Sequence, residues 1–122
     1  GDQYIVAVRI SNAAEISMLV DTGASICTLS RSVFEVVQAQ VDASYLREIQ
    51  LNTAGGVVTA QLYRLSSLSL GSDRVTDLEI AINPHSSTKF DGLLGMNFLR
   101  HFEFAIDQSS NRLRLRPKLA PS

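Results

Sequence analysis

The sequence predicts an all-β domain with one or two short helices. Apolar and polar residues alternate with the two-residue period of a pleated strand in several short segments, and polar or glycine-containing turns separate those segments. The chain has 122 residues, 45% of them hydrophobic, which suffices for one core but not for a second domain. We therefore expect a single domain over residues 1–122, with flexible ends at about residues 1–3 and 117–122.

Two strands at the start of the chain are predicted to form a hairpin. Apolar residues alternate over residues 4–10, and residues 11–14 then provide a turn. A second alternating segment, residues 15–20, leads directly to Asp21. Asp21 is therefore expected at the end of a strand, beside apolar neighbours.

A short helix and a second hairpin are expected next. Residues 32–35, with the sequence Ser-Val-Phe-Glu, match a capping box, which predicts a helix to about Gln40. Residues 47–52 and 57–63 then predict two strands. The tip of their hairpin comprises four residues: Thr53, Ala54, Gly55 and Gly56.

The following segment predicts a further strand and a polar loop. Leucines between residues 65 and 70 lead to a turn at residues 71–73. Residues 75–82 then form a strand, and residues 83–89 a polar loop. One face of that strand is expected to carry three apolar side chains: Leu78, Ile80 and Ile82.

Two apolar residues framed by glycines occur near the end of the chain: Gly92, Leu93, Leu94 and Gly95. This pattern predicts a strand that passes close to another backbone, because glycine has no side chain to obstruct the approach. A short helix is predicted to follow through Phe102. A hairpin of residues 104–107 and 112–116, turned at residues 108–111, then closes the chain.

The most informative segment is residues 21–25, Asp-Thr-Gly-Ala-Ser. Burial disfavours a charged carboxylate, so Asp21 beside apolar residues requires hydrogen bonds, an ion pair or a chemical role. Gly23 permits a sharp turn and lets its amide approach the carboxylate. The hydroxyl of Thr22 can fix the loop by bonding a neighbouring backbone group.

Catalysis by this loop would require a second carboxylate. A single aspartate is a poor catalyst of peptide hydrolysis, whereas two that share a proton provide one acid and one base. The chain contains one Asp-Thr-Gly and no Asp-Ser-Gly. The second aspartate must then come from another copy related by a two-fold axis, so the sequence predicts an obligate homodimer.

The Asp-Thr-Gly loop and the Gly-Leu-Leu-Gly segment together resemble the retropepsin-like aspartic proteases of the bacterial type. The likeness extends from Tyr4 to about Arg116 and implies a closed, barrel-like fold with one lobe per chain. It implies that Asp21 is the catalytic residue and that residues 53–56 form a flap over the substrate. It also implies that the active-site loop is supported by Thr22, Gly23, Ala24 and Ser25. The strand beside the loop would comprise Gly92, Leu93, Leu94 and Gly95.

The resemblance implies an aspartic endopeptidase that hydrolyses polypeptides, favours hydrophobic side chains and needs no cofactor. An alternative is a catalytically silent module that keeps the fold for dimerisation or peptide binding. The intact Asp-Thr-Gly argues against it, since such a module has no need of a costly carboxylate at Asp21. A second alternative is a domain that pairs with a different Asp-Thr-Gly protein.

Two positions depart from common patterns of the family. Ala24 stands where many aspartic proteases carry Ser or Thr, whose hydroxyl donates to the catalytic carboxylate and favours its ionised form. We therefore expect a less acidic pH optimum than in serine-bearing relatives. Asn97 stands where bacterial relatives often carry Asp.

Other functions are disfavoured by charge and spacing. The net charge is −1, and the arginines at 112, 114 and 116 alternate with leucines, as on the solvent face of a final strand, so no nucleic-acid partner is expected. His85 and His101 have no cluster of ligands around them in the sequence, and no metal site is predicted. Cys27 is expected to be a small buried hydrophobe.

Two further carboxylates and the localisation complete the expectations. Asp91 and Asp107 are predicted to be turn formers, with Asp91 also a candidate for lining the dimer contact or the catalytic loop. The sequence shows no signal peptide and no membrane-length apolar run, and it begins with Gly1, so we expect a fragment of a longer protein. The resemblance points to the bacterial cell envelope, with any membrane attachment through a segment missing from this chain.

Overall fold

The computed structural model describes residues 3–11, 13–85, 89–107, 109–110 and 112–118. The predicted flexible ends therefore fall mostly outside the described residues, as do parts of the predicted turns at 11–14 and 108–111 and of the loop at 83–89. The elements follow in this order: β1 (Ile5–Ile10), β2 (Ala14–Val20), β3 (Cys27–Ser30), α1 (Arg31–Val37), a 3₁₀ turn (Gln38–Gln40), β4 (Ala43–Thr53), β5 (Gly56–Leu70), β6 (Asp73–Asn83), β7 (Gly92–Leu94), α2 (Met96–Leu99), β8 (Phe102–Asp107) and β9 (Arg112–Pro117).

Six of these strands form a closed barrel, in the order β1, β2, β7, β3, β6, β5. The barrel closes where Arg9 and Ile10 of β1 pair antiparallel with Ser69 and Leu68 of β5. β4 continues the sheet outward from β5, and β8 and β9 form a separate two-stranded sheet. The architecture confirms the predicted all-β, barrel-like fold with short helices.

The core forms because strand alternation sends every second side chain to the same side of the sheet. In the first hairpin Val8, Ile10, Ile16 and Met18 are all buried, as the two-residue period predicts. The predicted face of β6 is also confirmed, with its three members at most 3% exposed: Leu78, Ile80 and Ile82. On β9 the three arginines are exposed, and the two leucines between them pack against the core.

Two helix boundaries differ from the sequence prediction. α1 begins at Arg31 after Ser30, whose backbone is extended and whose side chain makes no capping hydrogen bond, so the capping box at residues 32–35 was wrong. The buried strand β3 runs directly into this helix. α2 ends at Leu99 rather than at Phe102, because Phe102 starts β8 and its ring packs against Phe98, with the ring centroids 5.2 Å apart.

The β4–β5 hairpin and the final β8–β9 hairpin are both longer than predicted. The β4–β5 hairpin has a two-residue turn at Ala54 and Gly55, because Thr53 already pairs with Gly56. Gly56 has a φ of +116°, which only glycine adopts readily. The final hairpin begins at Phe102 and ends at Pro117. Among the described residues, no helix is long and apolar enough to cross a membrane.

Candidate active site

Asp21 lies at the point where β2 leaves the barrel, as predicted. Its amide donates a hydrogen bond to the Leu94 carbonyl at 3.0 Å, which fixes the backbone of the loop against β7. The Gly23 amide donates to Asp21 Oδ1 at 2.9 Å. A Cβ at Gly23 would lie 3.3 Å from that same oxygen, so the absence of a side chain permits the close contact. The carboxylate is thus oriented by its own loop and remains partly exposed.

Beyond Asp21, the rest of the loop is held by the segment that follows β7. The Met96 amide donates to the Ala24 carbonyl at 2.8 Å. At the end of the loop, the Cys27 amide donates to Asn97 Oδ1 at 2.8 Å. Together with the bond from Asp21 to Leu94, these contacts tie the loop at its beginning, middle and end to three residues within positions 94–97.

Two glycines make this close approach possible. A Cβ on Gly92 would lie 2.1 Å from the Thr28 carbonyl oxygen, and a Cβ on Gly95 would lie 2.8 Å from that of Ile26. Real Cβ atoms do not approach backbone this closely, so any side chain would force the strands apart. The structure confirms the sequence prediction of a strand passing close to another backbone.

Cys27 behaves as the small buried residue that the sequence predicts. Its side chain is fully buried, and its sulfur accepts a hydrogen bond from the Gly95 amide at 3.3 Å. Burial raises the pKa of the thiol to about 11, so Cys27 stays protonated at neutral pH. It is therefore a packing residue of the loop rather than a nucleophile.

A cleft of about 840 Å³ lies between the Asp21 loop and the tip of the β4–β5 hairpin. The cleft brings together these predicted site residues: Asp21, Gly23, Ala24, Ser25, Thr53, Ala54, Gly55, Gly92 and Leu93. Four predicted residues do not line it: Thr22 and Gly56 are exposed, whereas Leu94 is in the core and Gly95 lies behind the loop.

The cleft is lined by both apolar and polar side chains. Its apolar side chains include Ile26, Ile49, Leu51 and Phe90. Besides Asp21, its polar residues are Ser25, Thr28, Ser30, Gln50, Asn52, Thr53, Asn83, His85 and Asp91. Such a mixture of apolar walls and polar groups is typical of a ligand-binding cleft.

The hairpin tip at this cleft is internally braced. The Thr53 hydroxyl donates to the Gly56 carbonyl at 2.7 Å across the two-residue turn. Further along the hairpin, Gln50 Nε2 donates to Thr59 Oγ1 at 3.3 Å.

In the part of the chain that the structure describes, no group of three or more His, Cys, Asp and Glu side chains is arranged to hold a metal ion.

Asn97 has a role at this site that the sequence does not reveal. Asn97 is only 9% exposed and uses both ends of its amide, since Nδ2 also donates to the Glu79 carbonyl at 2.7 Å. The sequence feature that could have indicated this role is a polar residue inside the apolar run Met-Asn-Phe-Leu. Such a buried amide requires specific partners, but the sequence does not identify them.

Comparisons with known proteins agree with this geometry. The family model described as gag-polyprotein putative aspartyl protease matches residues 6–101. The crystal structure of a retropepsin-like aspartic protease from Rickettsia conorii superposes with a TM-score of 0.67 at 24% sequence identity, covering 93% of this chain and 81% of that one. No curated protein matches the sequence significantly. The chain therefore belongs to the gag-polyprotein putative aspartyl protease family and has the retropepsin-like fold.

Proposed function

We propose that this protein is an aspartic endopeptidase whose catalytic dyad consists of the Asp21 side chains of two copies. The observation that carries the proposal is the carboxylate of Asp21, which is oriented by the Gly23 amide and faces the cleft below the β4–β5 hairpin tip. Membership of an aspartyl protease family supports the same chemistry.

The second carboxylate is assigned to another copy because the described residues of this chain offer no suitable one. The sequence contains a single Asp-Thr-Gly. Asp91 also lines the cleft, but its Oδ2 accepts a hydrogen bond from the Ser17 amide at 2.8 Å. A symmetric pair of Asp21 side chains would instead share one proton, because like charges a few ångströms apart do not both ionise.

Hydrolysis would then proceed by general acid and base catalysis. One Asp21 carboxylate removes a proton from a water molecule, which attacks the scissile carbonyl. The other Asp21 donates its proton to the carbonyl oxygen. In the second step the roles reverse, and the leaving nitrogen is protonated. No cofactor is needed for these transfers.

We assign an extended polypeptide with hydrophobic side chains as the substrate. Ile26, from the segment after Asp21, and Ile49 and Leu51 of β4 line the cleft and would contact such side chains. Residues 53–56 would act as a flap that closes over the peptide and excludes bulk water. Backbone groups of β4 and β5 near this tip would bind the peptide in extended form.

The proposal is tested by cleavage of a diverse peptide library between about pH 3 and pH 7, the range over which carboxyl groups titrate. The wild-type chain is compared with Asp21→Asn and with Glu35→Gln, which removes an exposed carboxylate on α1 and serves as the control. The fraction of dimer is measured in parallel by analytical ultracentrifugation. We expect cleavage by wild type and Glu35→Gln and none by Asp21→Asn, with the dimer retained in all three.

Other results identify the alternatives. A dimeric wild type that cleaves no peptide would favour a silent binding module. A chain that stays monomeric and inactive would favour a different partner, which should then co-purify and carry its own Asp-Thr-Gly. Cleavage by Asp21→Asn at the wild-type rate would contradict the proposed catalytic residue.

A further inference from the structure

Asn97 joins two parts of the barrel through opposite ends of one amide group. Its Oδ1 accepts from the Cys27 amide at 2.8 Å, and its Nδ2 donates to the Glu79 carbonyl at 2.7 Å. The first contact holds the end of the Asp21 loop, and the second reaches β6. The position thus needs an acceptor on one side and a donor on the other, and a neutral amide supplies both.

The contact to Cys27 matters for the loop because of what surrounds it. The loop from Asp21 to Cys27 is anchored at its start by the Leu94 carbonyl and in its middle by the Met96 amide. At its end, the anchor from Asn97 comes from a side chain rather than from backbone. A substitution at Asn97 can therefore remove this anchor while the two backbone anchors of the loop stay in place.

We propose that Asn97 is a positioning residue for the Asp21 loop, and that its uncharged amide keeps the geometry of this loop constant across the acidic and neutral pH range. An aspartate of nearly the same shape would meet the same two partners. When protonated, it could donate to the Glu79 carbonyl and accept from Cys27. When ionised, it would place a charged oxygen against the Glu79 carbonyl oxygen with no proton between them.

We expect the residue at position 97 itself, rather than a neighbouring ionisable side chain, to determine how these two hydrogen bonds respond to pH. Among the described residues, the elements that pack most extensively against α2 are β3, β6 and β8. Their ionisable residues, with those that follow α2, are Cys27, Asp73, Arg74, Asp77, Glu79, Glu103, Asp107, Arg100 and His101. Cys27 and Glu79 contact Asn97 through backbone atoms, while the Glu79 carboxylate is partly exposed and pairs with Arg47 at 3.8 Å. The Glu103 carboxylate pairs with Arg116.

The first test is the unfolding equilibrium of Asn97→Asp as a function of pH. Burial and the Glu79 carbonyl disfavour the ionised form, against the single hydrogen bond from the Cys27 amide that favours it, so we expect the folded-state pKa of the introduced carboxyl to lie above its unfolded value. Stability is then retained below the unfolded pKa and lost as pH rises through the folded pKa. We expect a folding constant close to that of wild type at about pH 4 and lower by about tenfold or more at about pH 7, one factor of ten for each pKa unit of the shift.

Two further variants separate the proposal from a simple loss of packing. Asn97→Ala removes both hydrogen bonds without adding a titratable group, so its folding constant should fall at every pH. Gln40→Glu adds an exposed carboxylate far from α2 in sequence and should leave the pH dependence unchanged. If Asn97→Asp is unfolded at neutral pH, refolding on acidification gives the same result. An Asn97→Asp variant that matches Asn97→Ala at all pH values, or matches wild type at about pH 7, would overturn the proposal.

The effect on the loop itself is measured by hydrogen exchange and by kinetics. The Cys27 amide should exchange faster in Asn97→Asp than in wild type at neutral pH, and at a similar rate at acidic pH. The kinetic arm rests on the proposed function: kcat of the variant relative to wild type should fall with the same pH dependence, while KM changes less. If wild type cleaves nothing, the proposed function fails, and the unfolding and exchange data still decide the role of Asn97.

Discussion

Asp91 and Ser17 are joined by a reciprocal pair of hydrogen bonds. The Ser17 amide donates to Asp91 Oδ2 at 2.8 Å, and the Asp91 amide donates to the Ser17 carbonyl at 2.7 Å. The Asp91 carbonyl also accepts from the Ser30 amide at 2.9 Å. Asp91 therefore fixes the entry of β7 between β2 and β3, a role that the sequence did not predict, in addition to its position at the cleft.

We predict that Asp91→Ala lowers the free energy of unfolding by about 1–3 kcal/mol, because the Ser17 amide loses its acceptor. Asp91→Asn should cost less, since its side-chain oxygen can still accept the bond. Urea denaturation of the two variants and wild type measures both values. Equal stability of all three proteins would show that the side-chain bond contributes nothing.

Gly92→Ala should disrupt the barrel. The added Cβ would lie 2.1 Å from the Thr28 carbonyl oxygen, so β7 and β3 would have to separate. We expect a loss of about 3 kcal/mol or more, in the range of severe overpacking. Thermal and urea unfolding provide the measurement.

Gly55→Ala is the matched control for this prediction. The nearest atom to its added Cβ would be the Thr53 hydroxyl oxygen at 3.9 Å, which is ordinary contact. Its stability should therefore stay within about 0.5 kcal/mol of wild type, as for most surface substitutions. A Gly92→Ala variant as stable as Gly55→Ala would contradict the packing of β7 against β3.

Strand positions were predictable from the sequence because they follow from periodicity. The alternation over residues 4–10 and 75–82 encodes which side chains face the core, and the structure buries those side chains, except that Val6 is only partly buried. The glycines at 92 and 95 were also readable, since a glycine pair around two apolar residues has few other uses in a strand. In these cases the signal is local, so one segment contains all the information.

The helix boundaries and the buried polar contacts were not predictable, because they depend on residues outside the segment in which they occur. Ser32 satisfies the capping pattern locally, but the buried strand β3 ends at Ser30 and starts the helix there. The partners of Asn97 lie 70 and 18 positions away along the chain. Contacts of this kind form only when the barrel closes, so the sequence of a single segment does not predict them.

Asp107 supplies a pH-dependent contribution to stability. Hydrogen bonds from the Ser109 hydroxyl and then from Ser110 lower the pKa of the Asp107 carboxyl from 3.8 to about 2. A lowered folded-state pKa means that the contribution is present above the unfolded pKa and is lost as pH falls through the folded pKa. The window is therefore between about pH 4 and pH 2.

We predict that Asp107→Asn is less stable than wild type above about pH 4 and that the difference disappears on acidification to about pH 2. The amide can still accept in the turn, so the variant isolates the contribution of the charge. Urea unfolding at a series of pH values measures the difference, with Glu35→Gln as a control for the loss of an exposed charge. A difference that is constant across this window would contradict the lowered pKa.

Ala24→Ser should shift the pH profile of the proposed peptidase to lower pH. Ala24 lines the cleft beside Asp21, and its carbonyl is held by the Met96 amide, so the backbone can stay in place when the side chain changes. A serine hydroxyl there could donate to the catalytic carboxylates and favour their ionised form, which is the form that acts as the base. The profile of kcat/KM against pH for the two proteins is the measurement, with Ala24→Cys as a variant of similar size and weaker donor. A profile that stays unchanged in Ala24→Ser, or shifts equally in both variants, would show that hydrogen bonding at position 24 does not set the acidity of the reaction.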